Sequence, residues 1–496
     1  MREVRNSFVD YLALLGAQIG LLPLSILILM LTVRLAGPTQ YGIYALFLSV
    51  VQLFLVLGVN WTYPSIIRFG KEEYALRKTL HGLAGARIVL LLFCLIISAM
   101  VLVVFAQSIA AYIGIFPKHV WLVFAGIVLF ALISELNSVL QVVGKMRTFA
   151  VLQAAEKLFM LAALLWIFLS QNFLSALLLM GIALGTKIIL LFIALPLLPL
   201  QKLRPRMNFT LVHRVVQYSW PLLFAYASGY VIDWLDLFAI RYYLDLQAVG
   251  IYQIAYQAML VLSSGLMVFP TLAFPILTVF RVRERTGALR LYLERLAPQF
   301  TLLWTLLLFG VLLVAPFAFP LLFGTAFAPA IPTFLVLLVG LGFQALMVLY
   351  GAVLYSHNFV RSLTITQILM AVLNVGLNIL LIPRIGILGA ALATAFAYMF
   401  SSCAYVAVVR AQVFAPSRKI FLWPMLLTLA VLIALLSPQW ISWFATFGIG
   451  ILIIASARFL RIFSVTDLLW IRRIGIPKKF LPLFAWFYRA MDAAST

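Results

Sequence analysis

Four charged side chains lie inside long apolar stretches of the chain, where they are well placed for ion or proton chemistry. They are Glu135, the neighbouring pair Glu156 and Lys157, and Lys187 in the next apolar stretch. Charges inside membrane segments are costly, pair with one another and mark functional pathways. Two interpretations are open. The four residues form a structural ion-pair network between neighbouring segments, or they form a proton-coupling site in which a glutamate titrates.

A second polar set lies in a later apolar stretch. Tyr226, Tyr230 and Asp233 are spaced i, i+4 and i+7, so they share one face of a helix. Asp236 follows about one turn later, and Arg241 stands at the end of the stretch. The two carboxylates could bind a cation or oppose an arginine in a central cavity. The alternative is that Asp236 and Arg241 lie at the outer membrane interface and are hydrated.

The elements that hold these residues are predicted to be transmembrane helices. The chain has 496 residues, of which 66% are hydrophobic and 10% charged, whereas about a quarter of an ordinary soluble protein is charged. A helix needs ~20 apolar residues to cross a bilayer. The predicted spans are 8–34, 42–67, 83–107, 119–144, 148–170, 172–198, 215–241, 246–280, 297–323, 331–355, 361–383, 387–410, 420–437 and 440–460.

The distribution of basic residues predicts the topology. Most of the 35 Lys and Arg residues fall on every second connection between predicted spans. Because Lys and Arg near span ends stay cytoplasmic, both termini are predicted to be cytoplasmic. Anionic lipid headgroups on that face are a better counter-charge than nucleic acid for the net charge of +22. The basic residues that this rule leaves unexplained are Arg34, Lys118, Lys157, Lys187, Arg241 and Arg384.

A short repeat suggests how the spans are grouped. Gly42-Ile43-Tyr44 begins the second span, and Gly250-Ile251-Tyr252 begins the eighth. A six-span repeat fits this spacing, and two parallel lobes around a central cavity are typical of transporters. The predicted divisions are an N-lobe over 1–198, a cytoplasmic linker over 199–214, a C-lobe over 215–412, spans 13 and 14 over 413–463, and an amphipathic basic tail over 464–496 in the inner headgroup region.

Three stretches carry a family resemblance. They are Arg34–Tyr44, the hairpin Asp245–Tyr252, and Asn374–Pro383 followed by Gly386–Thr394. Together they resemble the bacterial polysaccharide and oligosaccharide flippases of the MATE-like (MOP) exporter superfamily. The resemblance implies an all-α membrane fold of about 14 helices, in which two six-helix lobes surround a central cavity and two C-terminal helices follow.

The resemblance also implies a function. The expected substrate is an undecaprenyl-pyrophosphate-linked oligosaccharide, such as an O-antigen or exopolysaccharide repeat unit. It would move from the inner to the outer leaflet of the bacterial cytoplasmic membrane by alternating access coupled to H+ or Na+. Membrane lipids and a glycan polymerase or export protein are the expected partners. No catalytic residue, cofactor or metal site is expected, since the two cysteines and four histidines share no ligand spacing.

Under this resemblance, basic residues are candidates for binding the pyrophosphate headgroup. Arg34, Arg87 and Arg241 lie at the ends of spans that line the cavity in the related fold, and arginine offers a bidentate fork to phosphate. The alternative for each is that it extends to the interface. Lys157 and Lys187 lie too deep to do so easily, which makes them lumen candidates if they are not paired.

Amide and acidic side chains complete the candidate site. Asn374 and Asn378 lie on one stripe of span 11 with Gln367, where they could bond neighbouring helices or recognise sugar. The candidates for ion coupling are Glu135, Glu156, Asp233 and Asp236.

Two other function classes are weighed. A multidrug or cation antiporter shares the fold but has twelve spans, so spans 13 and 14 argue against it. A membrane glycan polymerase or ligase presents a large outward loop with basic and histidine residues. The outward loops here are short and hold only four basic residues. The sequence therefore favours a flippase over an enzyme.

Overall fold

A computed structural model describes residues 20–170, 173–198, 200–283, 286–415, 418–437, 439–460 and 462–463. Within these residues all regular structure is helical. The N-terminal helices are α1 Leu22–Gly58, α2 Tyr63–Arg77, α3 His81–Val104, α4 Ala106–Ile113, α5 Trp121–Val143, α6 Met146–Leu169, α7 Ala176–Ala194 and α8 Phe209–Tyr243. The others are α9 Leu246–Leu266, α10 Val268–Val282, α11 Thr286–Leu291, α12 Ala297–Phe323, α13 Ala330–Ser356, α14 Val360–Ile385, α15 Ile387–Gln412, α16 Leu422–Leu436 and α17 Gln439–Phe459.

The prediction of an all-α membrane protein is confirmed. Twelve helical stretches in the described chain are long and apolar enough to cross a membrane, and Phe444–Phe459 is a shorter apolar helix. Predicted and observed boundaries agree best late in the chain, where the span predicted at 297–323 is α12, Ala297–Phe323. The span predicted at 246–280 is interrupted at Met267, between α9 and α10.

The first two predicted spans are joined in one kinked helix, α1. It has 37 residues, and at 1.5 Å per residue its length is about 55 Å, nearly twice the ~30 Å thickness of the hydrocarbon core. The kink is at Gly37, whose φ of 71° and ψ of 173° are not helical. Glycine adopts this conformation without strain, and Pro38 removes a backbone donor at the same place. The two arms of α1 therefore correspond to the two predicted spans.

One compact unit of the chain extends to Val261 and includes Phe319–Ala330 and Ala371–Ala390. Its central element is α1, which packs against α5, α6, α7 and α8. Residues Leu46, Phe47 and Val51 of α1 are fully buried. The candidate site residues named from the sequence all lie in this unit.

The second compact unit contains Leu262–Ala318, Ile331–Met370 and the chain from Ala391. Helix α13 is the most buried of the twelve candidate membrane spans. Side-chain donors bind backbone carbonyls of α13: Trp304 Nε1 donates to Leu341 O at 3.2 Å and Tyr292 Oη to Leu349 O at 3.0 Å. These bonds satisfy polar groups on aromatic side chains that are otherwise packed in the apolar interior.

Side chains fix the start of two helices that carry candidate residues. Glu73 accepts hydrogen bonds from the first backbone amides of α3, Gly82 N at 2.9 Å and Leu83 N at 2.8 Å. Asn208 accepts from Leu211 N at 3.0 Å and begins α8. Such bonds satisfy amides that have no partner within the helix.

The predicted lobe boundaries, 1–198 and 215–412, and the division of the remaining chain stay predictions. The amphipathic tail predicted over 464–496 lies outside the described residues, as does the beginning of the first predicted span.

Candidate functional site

Asp236 lies at the centre of a buried polar cluster between α8, α9 and α14. Its side chain is only 2% exposed. Tyr252 Oη donates a hydrogen bond to Asp236 Oδ2, and Asn378 Nδ2 donates to Asp236 Oδ1 at 2.5 Å. Asn378 Nδ2 also contacts Asn374 Oδ1 at 3.1 Å. Asp236 is therefore buried among polar side chains.

The donor set of this cluster suits a hard monovalent cation. A carboxylate and amide oxygens are ligands that hard cations prefer. The amide oxygen of Asn378 is buried without a hydrogen-bond partner in the described chain. No group of three His, Cys, Asp or Glu residues in the described chain could hold a transition metal.

Asp233 lies about one turn before Asp236 in α8 and lines a separate cavity. The cavity has a volume of about 380 Å³, and its polar and aromatic walls come from Gln52, Tyr226, Tyr230, Asp233 and Trp234. Tyr256 Oη donates to Asp233 Oδ1 at 3.0 Å. Tyr230 is buried and its hydroxyl donates to Ser49 O at 2.9 Å, which joins α8 to α1. The predicted common face of Tyr226, Tyr230 and Asp233 is therefore one wall of this cavity.

Arg87 and Glu135 form a buried ion pair between α3 and α5. Arg87 Nε donates to Glu135 Oε2 at 3.0 Å, and Arg87 Nη2 contacts Glu135 Oε1. The remaining terminal nitrogen, Nη1, donates to Thr62 Oγ1. Arg87 is 4% exposed. Because its donors are used in a bidentate pair and a third bond, the guanidinium is held rigidly inside the protein.

Glu156, Lys157 and Lys187 contact partners other than Glu135. Lys187 Nζ pairs with Glu156 Oε1 and lies 4.5 Å from the centre of the Phe130 ring. Lys157 Nζ donates to Ser25 Oγ, a neutral partner. Glu156 and Lys187 therefore form one ion pair, and Glu135 forms another with Arg87.

Arg34 and Arg241 bind the ends of other helices through main-chain carbonyls. Arg34 Nε donates to Leu322 O at 2.9 Å and Arg34 Nη2 contacts Leu321 O, near the C-terminus of α12. Arg241 Nε donates to Tyr112 O at 2.9 Å and Nη2 to Ala111 O at 3.2 Å, near the C-terminus of α4. A cation at a helix C-terminus also interacts favourably with the helix dipole.

Sequence reasoning missed two residues of the site, Tyr252 and Tyr256. Both donate to the carboxylates of α8, and their rings stack with centroids 6.0 Å apart. Tyr252 belongs to the repeated Gly-Ile-Tyr tripeptide, so a signal was present in the sequence. Pairing it with Asp236 required the packing of α9 against α8.

Residues 8–280 match the family model described as polysaccharide biosynthesis protein. The chain belongs to this family. No match was found among curated protein sequences.

Solved structures with a similar fold include the lipid II flippase MurJ in an inward closed conformation, at 15% identity and a TM-score of 0.68, covering 91% of this chain and 99% of that one. An inward-facing multidrug resistance MATE family transporter of the MOP superfamily is 13% identical with a TM-score of 0.63, covering 82% and 95%. A MOP superfamily transporter from Pyrococcus furiosus is 14% identical with a TM-score of 0.51, covering 83% and 95%. The MATE-like fold predicted from the sequence is confirmed.

Proposed function

We propose that the protein is a transporter that moves a lipid-linked oligosaccharide across the bacterial cytoplasmic membrane. The substrate would be an undecaprenyl-pyrophosphate-linked repeat unit, taken from the inner to the outer leaflet, with both protein termini in the cytoplasm. The observation that carries this proposal is the match of more than half of the chain to the polysaccharide biosynthesis family, in a protein with the MATE-like fold.

Lys157 is the strongest candidate for binding the pyrophosphate. It lies within a predicted span and is partly buried, and its hydrogen bond in the described chain goes to the neutral hydroxyl of Ser25. The charge of the neighbouring Glu156 also acts on Lys157, but Glu156 forms its ion pair with Lys187, which leaves the Lys157 ammonium available to an incoming anion. Lys187 is already paired with Glu156, and Arg87 with Glu135. Arg34 and Arg241 donate to backbone carbonyls. These four therefore rank below Lys157 as headgroup ligands.

The buried cluster around Asp236 supports ion coupling. Asp236, Asn374 and Asn378 supply oxygen ligands from α8 and α14. Binding of Na+ there would compensate a buried carboxylate and fix the relative position of these two helices. The stabilising effect of the ion would depend on its concentration on each side of the membrane, which is how a gradient can bias alternating access. Protonation of Glu135, Glu156 or Asp233 is the competing coupling mode.

The arginine contacts support alternating access. Under the predicted topology, Arg34 and Arg241 lie on the outer side, in equivalent positions of the two predicted six-span repeats. Arg34 from span 1 binds the end of span 9, and Arg241 from span 7 binds the extension of span 3. Each contact therefore joins one predicted lobe to the other. Opening to the outside would break both contacts together.

The direct test is flipping by purified protein in proteoliposomes. The probe is a fluorescent undecaprenyl-pyrophosphate-linked N-acetylglucosamine, and its exposure in the outer leaflet is followed with a membrane-impermeant quencher. We expect transfer that depends on the protein and that falls roughly tenfold in Lys157→Gln, because a charge-assisted bond to the pyrophosphate is lost. Lys118→Gln is a matched control, since Lys118 contacts only the adjacent Phe116 ring in the described chain. Absence of protein-dependent transfer would reject the proposed function.

A further inference from the structure

The cavity beside Asp233 differs in its chemistry from the rest of the candidate site. It lies between the second arm of α1, which supplies Gln52, and α8, which supplies Tyr226, Asp233 and Trp234. No basic side chain lines it. A pyrophosphate would therefore find no positive charge there, and the carboxylate of Asp233 would repel it. The cavity therefore suits a neutral or cationic ligand better than an anion.

Several hydrogen-bonding groups on these walls have no protein partner. Asp233 uses Oδ1 to accept from Tyr256, whereas Oδ2 makes no hydrogen bond in the described chain. Within the described chain, the amide of Gln52, the hydroxyl of Tyr226 and the indole N–H of Trp234 also make no hydrogen bond. Polar groups inside a membrane protein are normally satisfied by the protein. Asp233 is exposed and Gln52, Tyr226 and Trp234 are partly exposed, so these four groups are open to water or to a ligand.

The set matches the surface of a sugar ring. A pyranose carries hydroxyl groups at its edge, which both donate and accept, and weakly polar C–H faces that pack on aromatic rings. Asp233 Oδ2 is an acceptor, the Trp234 indole is a donor, and the amide and phenol are both. The rings of Tyr226 and Trp234 supply the apolar faces, and ligand sites generally combine such walls with a few fixed polar groups. A volume of about 380 Å³ is sufficient for one or two sugar units.

We infer that this cavity is a glycan subsite, in which Asp233, Gln52, Tyr226 and Trp234 bind a sugar near the reducing end of the carried oligosaccharide. The inference rests on the proposed function and adds to it a place where the sugar is distinguished from its lipid carrier. The subsite is separate from Lys157, which lies on α6 and bonds to Ser25 on the first arm of α1. Headgroup and glycan are thus recognised by different residues, so their contributions to binding can be separated experimentally.

The test compares lipids that differ only in the sugar. Full-length protein in nanodiscs is titrated with undecaprenyl pyrophosphate and with the same lipid bearing glucose, galactose or N-acetylglucosamine. We expect the wild type to bind at least one sugar-bearing lipid roughly tenfold more tightly than the bare lipid. Asp233→Asn and Trp234→Leu should lower the ratio of the two affinities, sugar-bearing lipid to bare lipid, to between one and two. The affinity for the bare lipid should not change.

Control variants exclude a general loss of structure. Trp220→Leu lies on the same helix, is 55% exposed and does not line the cavity, so it should keep the wild-type ratio. If Asp233→Asn does not fold, Gln52→Leu replaces it as the second polar variant. Gel filtration and thermal unfolding check that each protein is folded before binding is measured.

Three results overturn the inference. If the wild type binds all four lipids equally, the proposed function stands and the subsite is wrong. If the ratio survives in both variants, the sugar binds elsewhere. If tetraphenylphosphonium binds and Asp233→Asn abolishes that binding while the sugar ratio is unchanged, the cavity holds an organic cation. A wild type that binds no lipid at all rejects the proposed function itself.

Discussion

The backbones of Gly42 and Gly250 are in direct contact. A Cβ atom added to Gly42 would lie 2.1 Å from Leu246 O and 3.0 Å from Gly250 N. One added to Gly250 would lie 1.9 Å from Pro38 O and 3.1 Å from Gly42 N. The two copies of the Gly-Ile-Tyr tripeptide therefore meet at their glycines, in an arrangement that is nearly reciprocal. Any side chain at either position would force the second arm of α1 and α9 apart.

Substitution of either glycine should destabilise the packing of α1 against α9. We expect Gly42→Ala and Gly250→Ala each to lower the free energy of unfolding by about 1–3 kcal/mol, the usual range for overpacking. Thermal unfolding of the purified protein in detergent measures the effect. Gly185→Ala is the control, because a Cβ at Gly185 meets no atom within 4 Å and alanine favours the helix. Equal stability of all three variants would exclude a tight contact.

Loss of an arginine contact should favour opening on the same side. We expect Arg34→Gln and Arg241→Gln to increase labelling of a cysteine placed at Thr39 by a membrane-impermeant maleimide, by roughly threefold, since about 0.3–1 kcal/mol is a typical effect of a cation at a helix C-terminus. Arg384→Gln, exposed and outside these contacts, should leave labelling unchanged. Reduced labelling in both arginine variants would rule out a closing role.

The Arg87–Glu135 pair separates a structural role from a coupling role. Because removal of one partner leaves a buried charge alone, Glu135→Gln should lower the free energy of unfolding by about 3–5 kcal/mol. Joint replacement by Arg87→Met and Glu135→Leu should restore part of that loss. Glu294→Gln, in an exposed pair with Arg290, is the control and should change stability little.

Transport measured against external pH in Glu135→Gln and Glu156→Gln addresses the coupling role of these glutamates. A proton-coupling glutamate predicts that its variant loses pH dependence. An unchanged pH profile in both variants would leave only the structural interpretation.

Coupling at Asp236 predicts a specific ion dependence. Wild-type flipping should rise severalfold when Na+ replaces K+ on the side that drives transport, and Asp236→Asn should lose this stimulation while retaining basal binding of the substrate lipid. Asp245→Asn is a matched control, because the Asp245 side chain accepts only from Ala248 N at the start of α9 in the described chain. Stimulation by Na+ that persists in Asp236→Asn would place the coupling site elsewhere.

Hydropathy predicted the helices well because each span is a local property of the sequence. The spans predicted at 331–355 and 361–383 lie within one or two residues of Ala330–Ser356 and Val360–Ile385. The sequence predicts a loop between two spans at Gly37, because Gly37-Pro38 interrupts a helical pattern in the same way that a turn does. The sequence shows that the helix is interrupted at this position. It does not show that the two arms remain joined in one kinked helix.

The partners of the charged residues could not be predicted in the same way. Arg87 is predicted from the sequence to bind the headgroup or to extend to the interface, and its bond to Glu135 depends on the packing of α3 against α5, 48 residues apart in sequence. Asp236 and Asn378 are 142 residues apart. Position within an apolar span identifies the carboxylates Glu135 and Asp236 and the amide Asn378 as unusual. Helix packing decides which of these side chains are partners. No local pattern in a single sequence predicts that pairing.

The arginine contacts have a consequence for sequence variation. Arg34 and Arg241 bind carbonyl oxygens of Leu321, Leu322, Ala111 and Tyr112, and every residue type supplies a carbonyl. The acceptor positions can therefore accumulate substitutions that preserve the helix ends, whereas the two arginines and the two glycines cannot. Related chains should accordingly diverge freely in the side chains that receive the arginines while still preserving the contact, so covariation between the donor and acceptor positions would not reveal it.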